Sequence, residues 1–214
     1  MKSNKIGALL ILLGIAALFY PKLETVYLDS REQAVIEAFE SLDRMAIAEE
    51  VEDDEDEEMD QLVDVDELEE IEEAESHQAE AENSAVGIIE INAIELKLPI
   101  FSGVSEDELK LGAGLLSLDK NVFESKNIGI AAHRSHTFGR QFNRLDELKT
   151  GDHIDVQLRN QIETYEVFQT EIVEPNDLSV LQPDEEEEVI TLITCEPMVN
   201  PTHRLIVQAK KHSD

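Results

Sequence analysis

The chain is short of cysteine, tryptophan and basic residues. It has one Cys and no Trp among 214 residues, and its 17 Lys and Arg stand against 49 Asp and Glu, a net charge of −32. A single Cys excludes an intrachain disulfide framework and any zinc or iron–sulfur site built on several cysteines. So large a negative charge repels nucleic-acid backbones and anionic lipid surfaces, which are excluded as main partners. The length suits one domain of ordinary size with appendages.

Most of the negative charge lies in one segment. Residues 49–82 contain 20 acidic residues and no Lys or Arg, which leaves −12 for the remaining 180 residues. Like charges at i and i+4 destabilise a helix, so residues 49–84 are predicted to form a solvated, largely disordered linker. A loose calcium sponge and a segment folded over the domain are the alternatives. The EF-hand loop pattern is missing, so no defined calcium site is indicated.

An apolar run over residues 6–20 follows Lys2 and Lys5. A signal peptide fits this length, but the best cleavage candidate lies inside the run. We therefore predict an uncleaved signal anchor over residues 1–21 of a single-pass membrane protein, with the N-terminus cytoplasmic and the body extracellular. A cleaved signal peptide and a buried helix are the alternatives. Residues 22–48 carry apolar side chains at helical spacing and predict an amphipathic stalk or a helix packed on the domain.

Residues 85–214 have the short, β-rich segments of a globular domain. Seven or eight strands separated by turns predict an all-β sandwich or closed barrel with short helices. A capping box from Ser105 to Glu108 predicts the start of a short helix that ends at Gly112.

Three side chains that can support acyl transfer fall at predicted strand ends. Cys195 ends one apolar run, His133 follows a second, and Arg204 precedes a third. The thiolate is the nucleophilic form of cysteine, and a neighbouring imidazolium or guanidinium favours its formation from the thiol. A guanidinium also stabilises negative charge that develops at an acyl centre. On spacing alone, a buried structural Cys, with a structural His and Arg, remains the alternative.

The sequence around these residues resembles that of the sortases, which are cysteine transpeptidases of the bacterial cell surface. Residues 191–195 read TLITC and match the TLxTC signature of the family. Residues 202–207 read THRLIV and look like the strand that begins with the catalytic Arg, while residues 130–134 read IAAHR and resemble the segment with the catalytic His. The resemblance covers residues 88–209 in order, and it implies a closed eight-stranded β-barrel of the sortase type.

The resemblance also implies a transpeptidase that works through a thioester. Cys195 attacks an LPXTG-like sorting signal of a surface protein, His133 protonates the departing amine, and Arg204 stabilises the oxyanion or positions the peptide. The acyl group then passes to an amine of the peptidoglycan precursor lipid II or to a pilin lysine. Thr194 and Ala132, which adjoin the reacting groups, are expected to contact the substrate peptide.

The subclass follows from features that the sequence lacks. No Asp-Pro-aromatic lid motif precedes the barrel and no hydrophobic tail follows it, which favours a class A- or class D-like anchoring enzyme over a pilin-polymerising class C enzyme. His136 is a second imidazole close to the site. His133 is the preferred candidate for the catalytic histidine, because the apolar strand directly precedes it. No cofactor or metal site is indicated, although class A relatives can use calcium. A Cys–His peptidase or amidase that transfers to water, and a non-catalytic surface module, are the competing functions.

Overall fold

The computed structural model describes residues 19–20, 22–42, 44, 85–116, 125–158, 161–183 and 187–212. Among these residues, no helix has both the length and the apolar character needed to cross a membrane. The predicted signal anchor falls mainly on residues 1–18 and the acidic linker on residues 49–84, so both predictions lie outside the described residues.

Eight strands close into a barrel. Their order around it is β1-β2-β3-β4-β7-β8-β6-β5, and β5 pairs back onto β1. Each strand therefore has two neighbours and no strand edge is left open. The closed barrel implied by the family resemblance is confirmed, and the sandwich is excluded. The strands are β1 (Ala85–Ile91), β2 (Leu96–Phe101), β3 (Ala113–Leu116), β4 (Asn127–Ala131), β5 (His153–Leu158), β6 (Gln161–Val173), β7 (Val189–Glu196) and β8 (His203–Lys211).

The described helices are few and short, apart from α1 over residues 22–42. Helix α2 (Glu106–Leu111) confirms the predicted capping box, because the Ser105 hydroxyl accepts from the Glu108 N–H and the Glu108 carboxylate accepts from the Ser105 N–H at 2.8 Å. Gly112 caps its C-terminus. The 3₁₀ helices are η1 (Asn92–Ile94), η2 (Phe142–Glu147) and η3 (Ser179–Leu181).

Aliphatic side chains fill the barrel, which explains how a chain without Trp forms a core. Side chains alternate between the two faces of a strand, so every second residue points inward. Burial of one such side chain contributes about 1.5–3 kcal/mol relative to exposure. The fully buried examples include Ile89, Leu98, Ile130, Ile154, Ile190 and Leu192.

The sequence does not predict strand β3. Its four residues, AGLL, directly follow α2 and contain Gly114. A Cβ at Gly114 would lie 2.0 Å from the Gly103 carbonyl oxygen, so the close approach of these two main chains requires glycine there. The glycine that lowers strand propensity is thus the residue that lets β3 fit beside β2.

Helix α1 packs on the barrel through its apolar side. Val35 is buried with Ala85 and Phe101, and Phe39 packs against this cluster. Of the two forms predicted for this segment, the described residues show the helix that packs on the domain.

Two ion pairs connect α1 to the barrel. Lys97 Nζ lies 2.6 Å from a Glu40 carboxylate oxygen, and Arg140 Nε lies 3.3 Å from Asp29 Oδ1. Arg140 belongs to the loop that follows His133, so α1 reaches the segment that leaves β4.

Glu32 makes the packing of α1 sensitive to pH. Burial raises the pKa of Glu32 from 4.5 to about 7, while the Arg140 guanidinium opposes the shift and the Asp29 carboxylate adds to it. Between these values the folded state binds a proton that the unfolded state lacks, so stability falls as pH rises from about 4.5 to 7. We expect Glu32→Gln to be more stable than the native chain at pH 8 and nearly equal in stability at pH 4, measured by thermal unfolding.

Glu37→Gln, at an exposed position of the same helix, is the matched control and should show no such pH-dependent gain. An equal effect of Glu32→Gln at both pH values would contradict the prediction that ionisation of Glu32 destabilises the folded state.

Candidate active site

Cys195 and Arg204 lie opposite each other on the antiparallel strands β7 and β8. Ile190 and Leu192 of β7 are buried in the core, so alternation places Cys195 on the outer face of the barrel. Cys195 is a free, half-buried thiol. The Arg204 guanidinium donates to the His203 carbonyl oxygen at 3.0 Å.

The parallel pairing of β4 with β7 brings His133 level with Cys195. The Ala132 N–H donates to the Ile193 carbonyl oxygen at 3.1 Å, and the chain then continues beside β7. Neighbouring strands run about 4.8 Å apart. Because Ile130 is fully buried, alternation places His133 on the outer face, where it is exposed.

A thiol, an imidazole and a guanidinium therefore share one outer face at one end of the barrel. The structure brings together the three residues that the sequence predicts. The thiol supplies a nucleophile, the imidazole a proton carrier and the guanidinium a positive charge for an oxyanion. Within the described residues no hydrogen bond joins these three side chains, and such bonds commonly tighten only when substrate binds.

Thr194 and Ala132 face the interior of the barrel. Thr194 is 2% exposed and Ala132 6% exposed, and the Thr194 hydroxyl donates to the Ala132 carbonyl oxygen at 2.9 Å. This bond joins the end of β4 to the end of β7 and helps to set the separation of His133 from Cys195. Contact of Thr194 and Ala132 with a substrate stays a prediction.

The two other histidines near the site are placed differently. His136 is exposed in the loop after β4. His203 Nδ1 lies 2.8 Å from the Thr202 hydroxyl, and His203 Nε2 lies 3.4 Å from a Glu174 carboxylate oxygen. Among the described residues, the ring nitrogens of His203 thus contact Thr202 and Glu174 rather than the side chains of the three site residues.

Comparison with known proteins places this barrel and site in one family. Residues 89–212 match the family model of the Sortase domain. The chain belongs to the sortase family. This confirms the resemblance found in the sequence.

This sortase is 33% identical to Sortase D of Bacillus subtilis over 130 residues, which cover 59% of this chain and 64% of that protein. It is 29% identical to Sortase A of Streptococcus agalactiae over 142 residues, covering 63% of this chain and 56% of that protein. The chain thus spans less than two thirds of the length of either relative.

Solved sortase structures share the fold. A Clostridium perfringens sortase C, determined with the C-terminal cell wall sorting motif, has a TM-score of 0.56 and 30% identity, covering 62% of this chain and 72% of that one. Sortase A of Corynebacterium diphtheriae has a TM-score of 0.58 and 26% identity, covering 73% of each chain.

This sortase also has a partly buried ion pair beside the site that was not predicted from the sequence. The Arg134 side chain is 7% exposed, contacts the Glu196 carboxylate and lies 3.0 Å from Asp146 Oδ1. Arg134 directly follows His133, and Glu196 directly follows Cys195. The one sequence feature that could have indicated this pair is the presence of opposite charges directly after His133 and Cys195. The ion pair links the chain after β4 to the end of β7, next to those two residues.

We expect Arg134→Ala to lower the free energy of unfolding by about 3 kcal/mol. Breaking a buried ion pair costs about 3–5 kcal/mol. We expect the lower end of this range because the Glu196 and Asp146 carboxylates are partly exposed to water. Urea denaturation of Arg134→Ala, Glu196→Ala and the double variant should give a coupling energy of roughly 0.5–3 kcal/mol. Additive effects would show that the two residues act independently.

Helix η3, between β6 and β7, covers part of the outer face of the barrel. Val180 and Leu181 of η3 pack on Ile206 of β8. The Asn127 side-chain amide donates to the Val180 carbonyl oxygen at 2.9 Å and to the Gln182 carbonyl oxygen at 3.0 Å. These hydrogen bonds hold η3 and the residue after it against the start of β4, at the end of that strand remote from His133.

Proposed function

We propose that this sortase is a cysteine transpeptidase that cleaves an LPXTG-like sorting signal and transfers the acyl part to an amine. The observation that carries the proposal is the register of three strands. Cys195 lies opposite Arg204, and the end of β4 brings His133 beside Cys195 on the same outer face.

The proposed reaction has two acyl-transfer steps. The Cys195 thiolate adds to the carbonyl carbon of the scissile peptide bond, and Arg204 stabilises the oxyanion or positions the peptide. The C–N bond then breaks, His133 as imidazolium gives its proton to the departing amine, and a thioester remains on Cys195. An incoming amine attacks the thioester, His133 takes its proton, and the Cys195 thiolate leaves.

Exposed apolar side chains near the site support a peptide substrate with apolar residues. Phe138 follows His133 in the chain, Leu178 lies between β6 and β7, and Val199 follows Cys195, and all three are more than half exposed. Loops carried by a rigid barrel commonly hold the residues that bind substrate. The Clostridium perfringens sortase C structure contains a C-terminal cell wall sorting motif, which supports the same class of ligand for this chain.

The proposal includes membrane attachment. We place a signal anchor over residues 1–21, with the N-terminus cytoplasmic and the barrel extracellular, followed by a solvated linker over residues 49–84. The acceptor is then an amine of a peptidoglycan precursor, and the substrates are surface proteins that bear the sorting signal. The apolar run after Lys2 and Lys5 supports this arrangement.

Product analysis tests the proposed reaction. The full-length protein in detergent is incubated with an LPXTG-type peptide, with and without a diaminopimelate-like or glycine amine, and products are separated and weighed by mass spectrometry. We expect a peptide–amine product that grows with amine concentration. Hydrolysed peptide alone, with no amine product at any concentration, would instead identify a Cys–His peptidase.

A second acceptor class is tested in the same assay. Sortase C enzymes are among the similar solved structures, and the Streptococcus pneumoniae sortase C structure was described in terms of pilin substrate specificity. A lysine-containing pilin-like peptide therefore replaces the amine in a parallel reaction. Faster transfer to that lysine than to the cell wall amine would identify a pilin-polymerising enzyme.

A further inference from the structure

Two histidines and a glutamate meet on the barrel surface at a distance from the proposed active site. His153 begins β5, Glu166 lies directly opposite it on β6, and His212 follows the last residue of β8. One ligand atom from each lies within 4.8 Å of the other two. His212 Nδ1 is 3.5 Å from Glu166 Oε2, and the two imidazole rings are 5.4 Å apart.

The main chain holds this cluster in place from three segments of the chain. Glu166 pairs with His153 on one side and with Lys210 on the other, so it lies between β5 and β8. The His212 N–H donates to the Thr164 carbonyl oxygen at 2.8 Å, which fixes the residue after β8 against β6. All three side chains therefore project from hydrogen-bonded main chain rather than from free loops.

The donor set and its spacing suit a divalent transition metal. Imidazole nitrogen with a carboxylate oxygen is a common ligand set for zinc. Two ligands at 2.0–2.1 Å from a tetrahedral zinc lie about 3.4 Å apart, close to the 3.5 Å between His212 and Glu166. The His153 side chain is exposed, and one of its ring nitrogens lies within 4.8 Å of the other two ligand atoms, so it is the third protein ligand of the cluster.

Charge and access also favour a cation. The neighbouring Lys210 is already paired with Glu187, and Lys211 with Glu163 and Glu188. An open cleft reaches the two histidines and leaves room for water to complete the coordination shell.

We propose that His153, Glu166 and His212 form a binding site for a divalent transition-metal ion, with zinc as the first candidate. His212 lies eight residues beyond Arg204, about 26 Å along β8, so the site is separate from the reacting groups. It does not depend on the proposed acyl transfer. The bound ion would join the end of β8 to β5 and β6 and stabilise the barrel. This site could not be predicted from the sequence, because the three ligands are far apart in the chain.

Zinc titration of the full-length protein in detergent tests this site. Isothermal calorimetry should find one zinc ion per chain at the cluster, and zinc should raise the unfolding temperature. We expect His153→Ala, Glu166→Ala and His212→Ala each to weaken that binding by at least about tenfold, as loss of supporting interactions at a metal site already does. His136→Ala, at another exposed histidine, is the matched control and should bind zinc as the native chain does.

The visible spectrum of bound Co²⁺ reports the ligands of the metal in the native chain, without any substitution. Co²⁺ bound by two imidazoles and a carboxylate should show the visible absorption of a four- or five-coordinate ion. A spectrum of six-coordinate, oxygen-bound Co²⁺, or zinc affinity unchanged by all three substitutions, would overturn the proposal and assign the binding to carboxylates elsewhere, such as those of residues 49–84.

Discussion

Replacing Cys195 with alanine is expected to lower kcat/KM for amine transfer by at least about 10⁴-fold, to the background of the assay. Loss of a nucleophile that forms a covalent intermediate removes the reaction path itself, whereas loss of an oxyanion donor costs only about 10²–10³-fold. Cys195 is the only cysteine in the chain, so no other thiol can replace it. The rate is measured by separating the peptide–amine product over time.

The control for this variant is a measurement of its unfolding temperature. Cys195 lies on the outer face and is half-buried, so removal of its sulfur should leave the unfolding temperature nearly unchanged. Arg204→Ala should retain more activity than Cys195→Ala, since its guanidinium assists rather than forms the covalent bond. Amine transfer by a folded Cys195→Ala protein at more than a hundredth of the native rate would refute a Cys195 thioester.

His133→Ala is expected to lower kcat/KM by at least about 10³-fold, while His136→Ala should change it less than about threefold. Proton transfer by a positioned side chain contributes about 10²–10⁴-fold, and His133 serves both acyl-transfer steps. The two residues are three positions apart in one loop and both are exposed, so the pair controls for general effects on that loop.

Chemical rescue adds a second measurement to the histidine comparison. Free imidazole in the buffer should restore part of the activity of His133→Ala and leave Cys195→Ala inactive, because it can carry the proton but cannot form the thioester. A large loss in His136→Ala with native activity in His133→Ala would assign the proton transfer to the other imidazole and contradict the strand register on which the site is built.

The strand ends of the site were predictable from sequence because each follows or precedes an apolar run. The pairing between them was not. β4 and β7 pair in parallel from Asn127 and Val189, which are 62 positions apart, and nothing local in either segment specifies that partner. Only the family resemblance indicated that His133 and Cys195 meet, and the structure supplies the physical reason in the bonds from Ala132 to β7.

The same limit explains the features that the sequence did not indicate. The Arg134–Glu196 ion pair and the His153–Glu166–His212 cluster both depend on which strands are neighbours. The alternation of side chains between the two faces of a strand can be read from the sequence. Which of the two faces lines the interior is decided only by how the strands pair to close the barrel. Thr194 illustrates this, since it adjoins the nucleophile in sequence yet points into the core.

Intact-mass spectrometry would detect the proposed Cys195 thioester directly. The full-length chain is quenched with acid during reaction with an LPXTG-type peptide in the absence of an amine. We expect an adduct with the mass of the acyl fragment, located on Cys195, that disappears with formation of peptide–amine product when an amine is added. Absence of any adduct across a set of sorting-signal variants, on a folded protein whose Cys195 is freely alkylated, would contradict it.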